Sequence, residues 1–240
     1  MPNHVKNIVR MEGITKLPLF KTEYDEYEKR DVTCFDFNKI IPMPESLNMV
    51  SGSIETLAIE AVNRRLSQRR YGFQQKYSQP QMSDEEYQQR IESHGKTEEE
   101  LLDLGLQYIS NKVKYGATSW YDWCCDNWGT KWNAYSNEQE DEDTISFETA
   151  WSNPEPVMLK LSEMYPEATI EHWWADEDMG SNDGYRVYQG GQIVDGDYCD
   201  SCSNEAYEIY IKCWGESECL YQDEDGMWKR HECSTCHKCD

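Results

Sequence analysis

The sequence predicts an α+β fold: a split βαβ sandwich with a helical insertion at about residues 53–135 and a small cysteine-rich appendage at its C-terminus. Three observations carry this. A compact strand-helix-strand spacing runs from Ile145 to Ala175, the hydrophobic period changes from strand-like to helical at Ser53, and composition turns acidic and cysteine-rich towards the end. The expected organisation is therefore residues 1–194 as the main domain, with 195–240 as an acidic Cys-rich unit.

Each element has a local reason. Val5, Ile8 and Val9 sit in a short β-rich run that ends at Glu12-Gly13. Phe35 to Ile41 alternates until Pro42 and Pro44 stop it, which reads as a second strand or its extended exit. From Ser53, Ile54, Leu57, Ala58, Ala61 and Leu66 recur at helical spacing, with a basic tip at Arg64, Arg65, Arg69 and Arg70. Ser83-Asp84-Glu85-Glu86 and Thr97-Glu98-Glu99-Glu100 each set a hydroxyl three residues before a glutamate, the reciprocal cap that opens a helix. Gly116 closes the second of these, and Gly129 closes a tryptophan-rich helix beginning near Trp120. Strand 145–151, helix 155–164 behind Pro154 and Pro156, and strand 168–175 follow. A return strand is expected over 185–193, across a turn at 180–184. Ser203 caps a last helix that Gly215 ends, and Asp223 to Gly226 turn a short hairpin between Leu220 and Trp228.

Several of these pieces together resemble the YubB-like family, whose members are phage and plasmid proteins with a ferredoxin-like domain. The carriers are Met1 to Asn7, Asp36 to Glu45, the block Trp120 to Trp132 and Ala175 to Asp178, with Trp128-Gly129-Thr130-Lys131-Trp132 the most specific part. The resemblance covers most of residues 1–194. It implies a ferredoxin-like sandwich with helices on one face, and it passes on no catalytic residues. Pro18 interrupts the region where the first core helix of that fold is expected.

Charge bears on function. Residues 1–135 carry 20 acidic and 17 basic side chains, whereas residues 136–240 carry 26 and 6. A field of that sign repels nucleic acid and anionic membrane and attracts basic protein surfaces. Glu138, Glu140, Asp141, Glu142, Asp143, Asp176, Glu177 and Asp178, with Trp128 and Trp132 as aromatic anchors, form the expected partner-binding set. The expected role is a non-enzymatic binding factor that occupies a basic surface of a host protein engaged in nucleic-acid handling or defence. The alternative is a zinc-containing nucleic-acid-binding or processing module working through the sheet and the arginines at 64–70. No apolar stretch is long enough to span a membrane and no signal peptide is evident, so the expected location is the cytoplasm.

Ten cysteines in such a compartment suit metal ligation or burial better than disulfides. Cys199-x-x-Cys202 and Cys233-x-x-Cys236 present four thiolates to one tetrahedral structural zinc, with Cys239, His231 and His237 as substitute ligands; reduced free thiols and a redox or disulfide role are the other readings. Glu171, Asp176, Glu177 and Asp178 near His172 offer a hard-metal or acid-base site, against which stands chance clustering among 46 carboxylates. Cys124-Cys125 offers a nucleophile with no histidine nearby in sequence. No phosphate-binding loop or Gly-x-Ser-x-Gly elbow occurs, so no catalytic centre is expected.

Overall fold

The computed structural model describes residues 3–25, 29–69 and 82–231. Strands β1 (His4–Arg10), β2 (Phe20–Asp25) and β3 (Arg30–Phe35) precede four helices, α1 (Ser53–Arg69), α2 (Asp84–His94), α3 (Glu98–Tyr115) and α4 (Trp120–Trp128). Then come β4 (Tyr135–Gln139), β5 (Thr144–Ala150), α5 (Glu155–Met164), β6 (Ile170–Asp176), β7 (Gly184–Gln189), β8 (Gln192–Tyr198), α6 (Asn204–Trp214), β9 (Leu220–Gln222) and β10 (Trp228–Arg230).

The main sheet has six strands in the order β4-β5-β1-β6-β7-β8, every pair antiparallel. Strand β1 lies between β5 and β6, which α5 connects, so the strand-helix-strand unit read from the sequence is a split βαβ. Strands β1 and β4 likewise straddle β5. These four strands give the ferredoxin-like arrangement, to which β7 and β8 are added.

Alternation sorts the side chains onto two faces. Val5, Asn7 and Val9 of β1 share one face with Ile145, Phe147 and Thr149 of β5 and with His172, Trp174 and Asp176 of β6. Phe35 and Phe37 pack on Phe147 at centroid distances of 5.3 and 5.9 Å, and Trp128 meets Phe37 edge-on at 5.7 Å. On the opposite face Ile8 and Ala175 bury against Ile209 and Cys213 of α6.

Several boundaries differ from the sequence reading. Phe35 to Ile41 is not a strand: β3 ends at Phe35, and Asp36 caps a 3-10 turn by accepting the Asn38 amide. The missing first core helix is replaced by the β2–β3 hairpin. The return after β6 is two strands, because Gly190 and Gly191, at φ 57° and 79°, make a tight turn. Helices are not confined to one face, since α6 covers the second. Residues from 195 to 231 form no separate unit; their helix is seated on the sheet. Two compact units divide instead at 42/43 and 124/125, so the expected insertion is Met43–Cys124 and the other unit holds the flanking segments.

Within the inserted unit, Leu57, Ala58 and Ala61 of α1 bury against Leu101 and Tyr108 of α3. Gly105 allows that approach, because a Cβ there would stand 2.2 Å from the Ala58 carbonyl oxygen. Thr97 and Glu100 form the reciprocal cap expected of them, and Ser83 accepts the Glu86 amide.

Candidate functional site

One end of the sheet gathers the features that bear on function: the start of β1 and the ends of β5 and β6. The Trp151 amide donates to the Asn3 carbonyl at 2.9 Å, and the Glu177 amide donates to the His4 carbonyl at 2.8 Å, extending the ladder past both strands. Asp176 is buried there. Its carboxylate accepts from Asn3 Nδ2 at 3.0 Å, from the Asp178 amide at 2.9 Å and from Asn182 Nδ2 at 3.3 Å. Asn182 Nδ2 also reaches the Trp151 carbonyl at 3.1 Å. Tyr135 lies 2.8 Å from His4 Nδ1 through its hydroxyl, and His4 Nδ1 is 3.4 Å from Glu148. Burial, then Glu148 and Glu177, push the Tyr135 phenol well above its ordinary pKa.

Two tryptophans lie exposed at this end, Trp132 at 37% and Trp151 at 43%. Lys131 Nζ is 4.7 Å from one ring centroid and 4.8 Å from the other. Trp151 takes φ 75°, a left-handed conformation rare for a bulky residue.

The expected partner-binding residues separate here. Trp128 is buried and donates its indole N–H to the Ile41 carbonyl at 2.9 Å, so it belongs to the core and offers no anchor. Trp132 stays on the surface. Asp176 is likewise an internal brace, while Glu177 and Asp178 are exposed and Arg230 is 3.8 Å from Asp178. In the β4–β5 turn, Asp143 accepts the Gly13 amide at 2.7 Å, Asp141 accepts the Asp143 amide at 2.8 Å, and Glu142 pairs with Lys16. Glu138 and Glu140 are exposed beside them.

The quartet around His172 does not converge. His172 and Asp176 point to one face of β6 and Glu171 to the other, where it accepts from the Tyr185 hydroxyl at 3.1 Å. His172 is fully buried, with Nε2 3.0 Å from Asn7 Oδ1. Burial and then Arg186 push its pKa down to about 3, so the ring is neutral. Asp183 goes the other way: burial and the neighbouring Asp176 push its carboxyl up to about 8. Cys124 is buried.

Cys199 and Cys202 sit in the loop after β8. Their amides donate to the Asp183 and Gly180 carbonyls at 2.9 and 2.8 Å, and burial pushes the Cys199 thiol up to about 12. Cys233, Cys236, His237 and Cys239 lie outside the described residues, as does Arg70. Among the described residues no group of three or more His, Cys, Asp or Glu side chains is disposed to hold a metal ion. No described helix is long and apolar enough to cross a membrane. At the basic tip of α1, Arg64 pairs with Glu60 and Asp84 and lies 4.4 Å over the Tyr87 ring, so its charge is spent internally.

Sheet order and split βαβ connection thus define an α+β protein with a ferredoxin-like domain. Residues 131–222 match the family model described as the ferredoxin-like domain in Api92-like protein. Over 100 residues the chain is 27% identical to the uncharacterized protein YubB of Escherichia coli strain K12, covering 39% of this chain and 68% of YubB. It is also similar to the crystal structure of api92 from Yersinia pseudotuberculosis, at 14% identity and a TM-score of 0.39 over 83% of this chain and 99% of that one. The YubB-like resemblance seen in the sequence is borne out.

Proposed function

We propose that this is a non-enzymatic, cytoplasmic binding factor of a phage or plasmid that uses its acidic C-terminal portion to occupy a basic surface of a host protein. The observation that carries the reading is the charge partition, 26 acidic against 6 basic side chains over residues 136–240. The five described cations of that stretch are already engaged within the protein. Lys160 pairs with Glu163, Arg186 with Glu155 and Asp197, Lys229 lies 3.9 Å from Asp223, Arg230 faces Asp178, and Lys212 stacks over Trp173. The carboxylates left over project a field that steers a basic partner at a rate falling with salt. The nucleic-acid alternative draws no support from α1, where Arg64 is bound to its own carboxylates.

Structural zinc at Cys199, Cys202, Cys233 and Cys236 is part of the proposal, since it would tie the chain end to the loop after β8. One zinc per chain in the reduced protein, lost in both Cys199→Ser and Cys233→Ser, is the expected result; a metal-free protein removes the staple. For the partner, a pull-down from host lysate at low salt is expected to retain a basic protein that is released by salt and lost with Glu138→Gln, Glu140→Gln and Glu177→Gln combined. Retention unaffected by that triple change would sink the electrostatic reading.

A further inference from the structure

We propose that Trp132 and Trp151 form an aromatic clamp that takes an arginine side chain of the protein partner, with Glu177 and Glu148 as the carboxylates beside it. This rests on the acidic-binding reading and names the group the partner presents.

Of the nine tryptophans in the chain, only these two are exposed. Trp151 combines two costly properties, a large apolar ring in water and a left-handed backbone that glycine would adopt freely. Both its backbone groups are fixed, the amide by Asn3 and the carbonyl by Asn182, so the surrounding structure imposes this geometry. Lys131 demonstrates what the rings accept: one ammonium sits within 5 Å of both centroids, over two faces rich in π density.

Lysine is a flexible, strongly hydrated occupant. A guanidinium is planar, more weakly hydrated, and able to stack on indole while its N–H groups reach a carboxylate. Two carboxylates lie at the same end of the sheet. Glu177 follows β6 and accepts the His4 amide at 3.1 Å, and Glu148 stands opposite Tyr135, whose ring is 6.2 Å from that of Trp132. An incoming arginine would displace Lys131 towards solvent and stack between the two rings, with these carboxylates at the same end of the sheet.

The test uses the full chain and two labelled probes of equal length, an oligo-arginine and an oligo-lysine peptide, measured by fluorescence anisotropy at low and moderate salt. Wild type is expected to bind oligo-arginine about tenfold more tightly. Trp132→Ala and Trp151→Gly are each expected to erase that preference and leave a weaker, salt-sensitive affinity common to both peptides. Trp151→Gly keeps the experiment decisive, because glycine adopts φ 75° without strain, and a native far-UV circular dichroism spectrum is required of the variant before its binding is read. Equal binding of the two peptides to wild type, or a preference that survives both substitutions, overturns the clamp and leaves the acidic reading standing. Failure of wild type to bind either peptide overturns both.

Discussion

His172→Gln should flatten part of the acid limb of the stability curve. The Asn7 amide spends both hydrogens on the Val5 carbonyl and on Thr149 Oγ1, each at 2.9 Å, so its Oδ1 must accept and His172 must carry its proton on Nε2. The other ring nitrogen, Nδ1, meets no hydrogen-bonding partner among the described residues. Protonating it would place a cation in the dry interior near Arg186. The folded pKa of about 3 lies below the unfolded value of 6.5, so below pH 6.5 the unfolded chain binds a proton that the folded one refuses. Stability from this residue is complete above 6.5 and is lost as pH falls. Between about pH 7.5 and about pH 5.5 the loss is about 1.4 kcal/mol. Glutamine can still donate to Asn7 Oδ1 but cannot titrate. Urea unfolding followed by tryptophan fluorescence, done on both proteins at both pH values, isolates this difference from the other titrating groups, and both conditions stay above the isoelectric point of about 4.5. Parallel curves would refute the reasoning, since they would mean that the imidazole is protonated in the fold or already neutral in the unfolded chain.

Other substitutions test the packing. Gly105→Ala, ordinarily a gain of about 1 kcal/mol inside a helix, should instead destabilise by roughly 1–3 kcal/mol, because the new methyl meets the Ala58 carbonyl oxygen at 2.2 Å; a raised Tm contradicts this. Trp128→Phe should cost about 2 kcal/mol in chemical denaturation, through lost volume and an orphaned Ile41 carbonyl, yet leave peptide binding unchanged. Thr97→Ala should cost about 1 kcal/mol by opening the cap of α3, read as an earlier loss of helical signal on heating.

What was legible in the sequence is what local chemistry dictates. The Thr97 and Ser83 caps, the left-handed closures at Gly116 and Gly129, and the α5 span follow from residues within one turn of each other. The β2–β3 hairpin was not legible, because neither strand alternates cleanly and no Asn-Gly or Asp-Gly pair marks the short connection between Asp25 and Arg30. The buried network was hidden for a stronger reason: Asn7 and His172 meet only because β6 lies beside β1, and 165 positions separate them. Trp151 escaped notice because its left-handed backbone is set by Asn3 and Asn182, and no glycine marks the position.

The same distinction bears on the acidic residues, which a charge count treats as equivalent. Asp141 closes the β4–β5 turn on the Asp143 amide, Asp143 ties that turn to the Gly13 amide, Glu142 answers Lys16, and Asp176 is buried under three donors. Removing any of these perturbs folding as well as the field, so a binding defect in such a variant carries little information. Glu138 and Glu140 are the exposed members whose neutralisation changes the long-range field with least disturbance of the sheet, whereas Glu177 also accepts the His4 amide. Because steering acts on the association rate, their loss should slow complex formation and reduce its salt dependence, whereas loss of Trp132 or Trp151 should speed dissociation. A partner whose on-rate and off-rate both move with the carboxylates and ignore the tryptophans would point to a purely electrostatic contact elsewhere on the acidic surface.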